Sequence, residues 1–233
     1  MKMNQQIKTI LPLAAFALTA TYANAAVIAT LTTEAKNGEP HTGPSILATT
    51  GDLLETEGSV ASEGGNGDGI RQNTSTVFDG SISTGIANGA QTAANAGGYW
   101  GAGHFIEIDL DITTNTLGYD ISSITTIQVG DSFRPGQAYT VQLRTVGGSF
   151  SDLLTVPDQG TGGNVNQIVI SDNSAPLLGT GVDGIRFNFA ATGVGWTVYR
   201  ELDAVGTATV VPEPTTTALL GLGGLALIFR RRK

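Results

Sequence analysis

The chain of 233 residues contains no cysteine. This absence excludes a disulfide-bonded scaffold, a catalytic thiol and any zinc site with cysteine ligands. Histidine is nearly absent as well, because His41 and His104 are the only two and their separation matches no zinc-binding spacing. No GxSxG elbow, HExxH motif or phosphate-binding loop occurs. The sequence therefore predicts a protein that is not an enzyme.

Positive charge is scarce, with 12 Lys and Arg against 20 Asp and Glu. Six of these cations lie in the first 25 and last 24 residues, where Glu213 is the only acid. The region between keeps six cations against nineteen acids, a net charge of −13. Nucleic acids and anionic lipids require a cationic surface, so neither is an expected partner. The acidic excess instead favours solubility and divalent cations as counter-ions.

Long hydrophobic runs are also missing, and the first of two short ones lies at residues 10–21. It follows two lysines and precedes Ala23 and Ala25, small residues at the third and first positions before a cleavage site. This order predicts a secretory signal peptide over residues 1–25, removed by signal peptidase after Ala25. An uncleaved anchor is the alternative, but the run is shorter than the roughly 20 residues that a membrane span requires.

The second apolar run, residues 218–229, lies between a proline-rich start and a cationic end. As a helix it covers about 18 Å, which is short of a hydrocarbon core of about 30 Å. We therefore expect a weak membrane helix whose arginines stay cytoplasmic, suited to a temporary handle that is later removed. A permanent tail anchor is the alternative. The defining residues are Pro212, Glu213, Pro214, Arg230, Arg231 and Arg232.

These features resemble the PEP-CTERM sorting signal over residues 210–233. The resemblance implies recognition by an exosortase, a membrane cysteine transpeptidase. It also implies an inner-membrane intermediate, held transiently by the tail, that ends at the cell surface or in the extracellular matrix. The host would be a Gram-negative bacterium that makes extracellular polysaccharide or biofilm.

The intervening residues 26–209 are predicted to form one all-β domain. Glycine is abundant (32 residues), and apolar residues alternate with a period of two in several short segments. Short strands separated by turn residues indicate an antiparallel β-sandwich or barrel. Residues 58–69 and 85–98 are predicted to be surface loops, and no helix is predicted outside the two ends. The predicted strands are 27–33, 105–111, 121–129, 138–145, 165–171, 182–190 and 195–205.

Several segments resemble, in order, those of discoidin-type, galactose-binding-like jelly rolls over about residues 70–206. The first is a DGxxxT turn, and the last is the closing E-I-x-V-x-G strand. The tryptophan that usually follows the threonine is missing here. The matching segments are Asp79–Thr84, Phe105–Leu110, Tyr139–Phe150, Gly184–Phe189 and Glu201–Gly206.

That resemblance implies one structural Ca²⁺ ion held by Asp79, Thr84 and Glu201, which would clamp the first long loop to the last strand. Ca²⁺ takes six to eight oxygen ligands, and loop carbonyls can supply those that the side chains do not. The alternative is an ordinary Asx turn at Asp79 and a solvated Glu201.

The resemblance also implies carbohydrate binding by loops at one end of the sandwich. The candidate contacts are Tyr99 and Trp100, whose rings could stack on a pyranose, with Arg134 and Arg186 as hydrogen-bond donors. Trp196 is the other candidate for stacking. Trp100 could equally be a core residue, and Trp196 is favoured as one. The arginines could equally neutralise acids on the sheet.

Three acids raise the question of glycosidase chemistry, which needs a pair of carboxylates. Glu107, Asp109 and Asp111 alternate along one strand face, a pattern more typical of a solvated face. The favoured interpretation is an exported, non-catalytic carbohydrate-binding or adhesion module associated with exopolysaccharide. A purely structural matrix or envelope protein is the main alternative, and a glycoside hydrolase is the weaker one.

Overall fold

The structure is a computed structural model that describes residues 26–35, 46–47, 49–64, 77–80, 82, 99–129, 136–191 and 196–210. The predicted signal peptide and tail helix lie outside these residues. In the described part, no helix is long and apolar enough to cross a membrane. The elements are β1 (Val27–Ala35), α1 (Leu53–Glu57), β2 (Gly58–Gly64), β3 (Tyr99–Gly101), β4 (Phe105–Leu110), β5 (Tyr119–Val129), β6 (Gln137–Thr145), β7 (Ser151–Gln159), β8 (Asn164–Asp172), β9 (Gly179–Phe189) and β10 (Trp196–Ala208).

The strands form one hydrogen-bonded sheet in which every named pair is antiparallel. β5 pairs with β8 and β10 along most of its length, and with β9 only at Tyr119 and Ile121. The short pairing of β5 with β9 forms a corner between two layers of the sheet. Their strand orders are β1-β8-β5-β10-β3 and β2-β4-β9-β6-β7. The arrangement is consistent with the predicted all-β sandwich.

The apolar side chains of both layers meet in one large core. Strand β4 shows the alternation that its sequence predicted, since Ile106, Ile108 and Leu110 are buried while the residues between them are half-buried. At the centre, the ring of Tyr139 packs edge-on against Phe187 and Tyr199, with centroids 5.9 and 6.0 Å away. Such aromatic pairs add about 1 kcal/mol each beyond the burial of their area.

The seven predicted strands are all present, with their ends shifted by a few residues. The prediction of a loop over residues 58–69 was wrong for residues 58–64, which form edge strand β2 against β4. Pairing with a regular neighbour outweighs the weak strand propensity of this Gly-Ser-Glu segment. Strand β7 was also missed because it contains Pro157, which an edge strand tolerates and a central strand does not.

Helix α1 was not predicted, although Asp52 before it is a typical N-terminal capping residue. The Asp52 side chain caps the helix: Oδ1 accepts a hydrogen bond from the Leu54 N–H (2.9 Å) and Oδ2 accepts one from the Glu55 N–H (3.1 Å). Asp52 also forms an isolated antiparallel bridge with Val205 of β10. The start of the helix is therefore fixed to the last strand.

Candidate functional site

Strand β10 places two acids in the interior. Glu201 and Asp203 are two residues apart, so their side chains leave the same face of the strand. Both are completely buried, with 0% of each residue exposed. The register against β5 shifts between Tyr199 and Glu201, a bulge that precedes the pair. Bulges re-aim the side chains that follow them, and they are common beside functional sites.

Asp52 joins these two residues to form what we call the acidic triad: Asp52, Glu201 and Asp203. One carboxylate oxygen from each residue lies within 4.8 Å of the others. Asp52 is 1% exposed. Its oxygens accept three backbone N–H groups, from Leu54 and Glu55 of the helix and from Ala204 (2.7 Å) on β10. These hydrogen bonds hold the Asp52 carboxylate in place.

In each of the other two members of the triad, only one carboxylate oxygen accepts a hydrogen bond from a described N–H or hydroxyl group. Glu201 Oε1 accepts the Gly80 N–H at 2.9 Å, and Asp203 Oδ2 accepts the Thr49 hydroxyl at 2.5 Å. Glu201 Oε2 and Asp203 Oδ1 are buried, and no described N–H or hydroxyl group donates to either. The two carboxyl groups are close enough for one to donate to the other when it is protonated. Because buried polar atoms almost always have a partner, these two oxygens need a proton shared between them or a bound cation.

The electrostatics of the triad are strongly unfavourable to three bare carboxylates. Two unit charges 4.8 Å apart repel by roughly 3–4 kcal/mol at an effective dielectric constant of about 20. Burial, and then the negative charge of Asp203, raises the pKa of Glu201 well above its ordinary value. Burial likewise raises the pKa of Asp203, and it raises that of Asp52 to about 6 despite the backbone hydrogen bonds. A cation at this position would remove the repulsion.

The calcium ligands implied by resemblance are only partly brought together. The Asp79–Gly80 turn does contact Glu201, but through the Gly80 N–H. Asp79 itself is exposed, and its charge helps to raise the pKa of Glu201. Thr84 lies outside the described residues. Asp203 was overlooked, although its position two residues after Glu201 on a strand was a usable signal.

Asp52 could not have been linked to this site from the sequence. It lies about 150 residues before its partners, and Asp-Leu-Leu-Glu indicates only the start of a helix. Its contribution depends on the long-range bridge to Val205, which only the folded chain reveals.

The structure places the four predicted sugar contacts differently. Tyr99 and Trp100 lie on β3, where Trp100 is opposite Thr197 of β10. Arg134 lies outside the described residues. Arg186 is committed to Glu107, donating from Nη2 at 2.6 Å and from Nε at 3.1 Å. Of its two predicted roles, the structure therefore shows Arg186 neutralising an acid on the sheet.

Arg186 belongs to what we call the outer-face network: Glu107, Asp109, Arg144, Asp183 and Arg186. The Arg144 guanidinium donates to Asp183 (2.7 Å), to Asp109 (2.8 Å) and to Glu107 (3.4 Å). Two of the three acids considered for glycosidase chemistry are thus ion-paired. The third, Asp111, is exposed and accepts the Thr113 N–H in a turn.

Both guanidiniums of the network also stack on aromatic rings. Arg186 lies 4.9 Å from the ring centroid of Phe105 and 4.8 Å from that of Phe150. Arg144 lies 5.0 Å from the Phe150 centroid. Cation–π contacts of this kind contribute about 0.5–1 kcal/mol at partly exposed sites. The network therefore ties the turn between β6 and β7 to the sheet.

Comparison with known proteins addresses the C-terminal end. Residues 210–233 match the PEP-CTERM protein-sorting motif. The motif marks a secreted protein that is anchored transiently in the membrane and sorted to the cell surface by an exosortase. A search of proteins with curated functions gave no significant match. The predicted sorting signal is confirmed, and cleavage after Ala25 stays a prediction.

The folded domain reaches directly to the PEP-CTERM motif. Strand β10 ends at Ala208, and Thr209 is still part of the fold. Its N–H donates to the Gly118 carbonyl (2.9 Å), and its hydroxyl donates to Asp120 Oδ1 (2.5 Å). The motif begins at the next residue, so no linker separates the domain from the sorting signal.

Proposed function

We propose that the domain is a non-catalytic module that binds extracellular polysaccharide for adhesion at the surface of a Gram-negative bacterium. The observation that carries this proposal is the position of Tyr99 and Trp100 on β3. This three-residue strand pairs only with β10 among the described strands, so it lies at a rim of the sheet. Binding residues of β-sandwich proteins commonly cluster at such rims.

The chemistry of these residues suits a sugar. The face of an indole or phenol ring is apolar and electron-rich, which matches the C–H face of a pyranose. With a net charge of −13 outside its two ends, the chain repels anionic polymers. The ligand class that fits best is therefore a neutral glycan.

Turnover is not part of the proposal. A glycosidase needs one protonated and one free carboxyl group about 5–10 Å apart at the substrate. On the outer face, Glu107 and Asp109 are instead ion-paired with arginines. Both oxygens of Glu107 and one oxygen of Asp109 accept hydrogen bonds from these guanidiniums. This pairing supports a structural role for these acids.

The test is retention of the full chain on immobilised neutral polysaccharides, measured by affinity electrophoresis. We expect Trp100→Ala to abolish retention while its thermal unfolding stays cooperative. The control is Leu117→Ala, which removes an exposed apolar side chain in the turn before β5 and should leave retention unchanged. Retention that survives both Trp100→Ala and Tyr99→Ala would refute the proposed binding site.

A second candidate, a purely structural matrix or envelope protein, is favoured by one specific observation. Arg186, a predicted sugar contact, donates two hydrogen bonds to Glu107 and stacks on two aromatic rings. Wild-type protein that reaches the cell surface yet is retained on no glycan would establish this candidate in place of the first.

A further inference from the structure

We infer that the acidic triad binds one divalent cation of the hard, oxygen-seeking class, and that the ion is Ca²⁺. The site is built from Asp52 at the start of α1 and from Glu201 and Asp203 on β10. It shares only Glu201 with the set implied by the jelly-roll resemblance. It rests on the positions of these three side chains and is independent of carbohydrate binding.

The first argument is the donor set. All three side chains offer carboxylate oxygens, and no sulfur or imidazole belongs to the cluster. Carboxylate oxygens suit Ca²⁺ and Mg²⁺, whereas zinc and copper sites usually include nitrogen or sulfur ligands. Mg²⁺ gives up its water reluctantly and is usually held by one or two carboxylates, whereas Ca²⁺ accepts cages made of protein oxygens. Three buried carboxylates therefore favour Ca²⁺.

The second argument is spacing. Ca²⁺–oxygen bonds measure about 2.3–2.6 Å, so ligands on opposite sides of one ion lie about 4.6–5.2 Å apart. The three oxygens of the triad lie within 4.8 Å of one another. They can therefore share one coordination sphere.

The third argument is independent of the clustering of charge. Glu201 Oε2 and Asp203 Oδ1 belong to fully buried residues, and no N–H or hydroxyl group of the described chain donates to them. The opposite oxygens of the same carboxylates are held by Gly80 and Thr49, which fixes the orientation of both groups. Two oriented, buried and unpartnered oxygens are what an ion-binding site presents.

Asp52 has a different part in this site. Its two oxygens already accept three backbone N–H groups, so it is positioned before any ion arrives. It supplies a third negative charge and one remaining lone pair. A bound Ca²⁺ ion would therefore link the start of α1, the Asp79–Gly80 turn through Glu201, and strand β10.

The experiment is a calorimetric titration of the full chain with CaCl₂ after removal of metal by a chelator. The buffer contains about 0.1 M KCl to screen the general negative charge. The variants are Glu201→Gln and Asp203→Asn, which keep size and shape but remove one ligand charge each. The control is Asp152→Asn, which removes an exposed acid that accepts only the Gln142 amide among its described hydrogen bonds.

We expect one Ca²⁺ per chain with a Kd of about 10⁻⁴ M or lower, the range of extracellular calcium modules or tighter. Each triad variant should raise the Kd by at least about tenfold, as loss of a ligand-shell partner commonly does. Asp152→Asn should leave it unchanged. Absence of a saturable site in the wild type, or wild-type affinity in both triad variants, would overturn the inference.

A second measurement keeps the inference testable where a variant does not fold. The Tm of the wild-type chain should rise with Ca²⁺ concentration, because an ion that binds only the folded state stabilises it. The same concentration of Mg²⁺ should raise the Tm much less. No Tm shift with Ca²⁺ would refute the site, and an equal shift with both ions would refute the assignment to Ca²⁺.

Discussion

The backbone N–H of Ala204 donates a 2.7 Å hydrogen bond to Oδ1 of Asp52, a residue 152 positions earlier in the chain. The same oxygen accepts the Leu54 N–H that begins helix α1. One carboxylate thus caps a helix and binds the outer edge of the last strand. This double use connects the beginning of the domain with its end, and it brings a third charge beside Glu201 and Asp203.

Replacing Asp52 by Ala should destabilise the domain by about 3 kcal/mol in chelator-treated protein. The loss of a helix cap costs about 1 kcal/mol, and the buried Ala204 N–H left without an acceptor costs about 1–3 kcal/mol more. Relief of repulsion in the triad will offset part of this cost. Urea-induced unfolding measures the change.

The control for this experiment is Asp172→Ala. Asp172 also accepts two backbone N–H groups, from Ser174 and Ala175, but it lies at the end of β8 and its hydrogen bonds are partly or fully exposed to solvent. Water can replace those hydrogen bonds, so the loss of Asp172 should destabilise the domain much less than the loss of Asp52. Equal effects of the two substitutions would contradict the role given to Asp52.

The stability of the metal-free domain should decrease as the pH rises from about 4.5 to 7.5. The pKa of Asp52 is raised from 3.8 to about 6, and those of Glu201 and Asp203 are raised as well. Over this range the folded state binds more protons than the unfolded state, so the free energy of unfolding decreases by up to about 1.4 kcal/mol per pH unit for each group. Urea titrations at several pH values measure it.

Saturating Ca²⁺ should remove this decrease, since the ion binds the carboxylates in their ionised form and competes with protons. Below about pH 4 the opposite dependence should appear. Hydrogen bonds from Thr113 and Ser174 lower the pKa values of Asp111 and Asp172, so protonating them destabilises the fold. A chelator-treated protein that becomes more stable between pH 4.5 and 7.5 would contradict the raised pKa values.

Gly118→Ala should destabilise the corner between the two layers by more than about 3 kcal/mol. Gly118 has φ +78°, and an added Cβ would lie 2.7 Å from the carbonyl carbon of Gly181 and 2.7 Å from the Val182 oxygen. These are backbone atoms that cannot move aside cheaply. Thermal or urea unfolding of the variant measures the cost.

Gly147→Ala separates backbone strain from steric clash. Gly147 has a similar φ of +73°, but no atom lies within 4 Å of an added Cβ. Only the left-handed conformation penalises the substitution, at about 1–2 kcal/mol. If both alanine variants lost the same stability, the close approach of the chain at the corner would be unimportant.

Arg144→Lys should cost more stability than Arg186→Lys. The guanidinium of Arg144 reaches the carboxylates of Asp183, Asp109 and Glu107, whereas that of Arg186 reaches only Glu107 among the described ion pairs. A lysine ammonium cannot reproduce the planar fork. We expect a loss of about 2 kcal/mol for Arg144→Lys, measured at low salt. A larger loss for Arg186→Lys would disprove the central place of Arg144.

Intact mass should report both processing events on protein recovered from native culture. The two predicted cuts, by signal peptidase after Ala25 and by the exosortase at the tail, should leave a chain that begins at Ala26 and ends near Pro212. The matched variant replaces Arg230, Arg231 and Arg232 by Gln, and it should accumulate with its tail intact. Wild-type protein that still carries Lys233 in the membrane fraction would show that the tail is not cut.

Most of the sheet could be predicted from local pattern. The alternation of Ile106, Ile108 and Leu110 fixes which face of β4 is buried, because a one-residue shift would expose all three. The same reasoning located six other strands. This reasoning did not find strand β2, because its Gly, Ser and Glu residues have low strand propensity and form a strand by pairing with β4.

The candidate site was less predictable than the fold. A resemblance indicated Glu201 as a ligand, but nothing local links Asp52 to it. The role of Arg186 also depends on the register between β4 and β9. This register places Arg186 opposite Glu107, with which it forms an ion pair. Composition revealed a shortage of cations and an excess of acids, but which acids are paired is a property of the folded sheet.

The direct junction between Thr209 and the sorting motif has a mechanical consequence. Force applied at the processed C-terminal end would enter the domain through the end of β10, and a ligand bound at the proposed β3 site would hold the beginning of the same strand. The load would then run along β10, which is bonded to β5 from Tyr199 to Ala208. Strands loaded along their length must break many hydrogen bonds together, so this geometry would load the β5–β10 pair in shear.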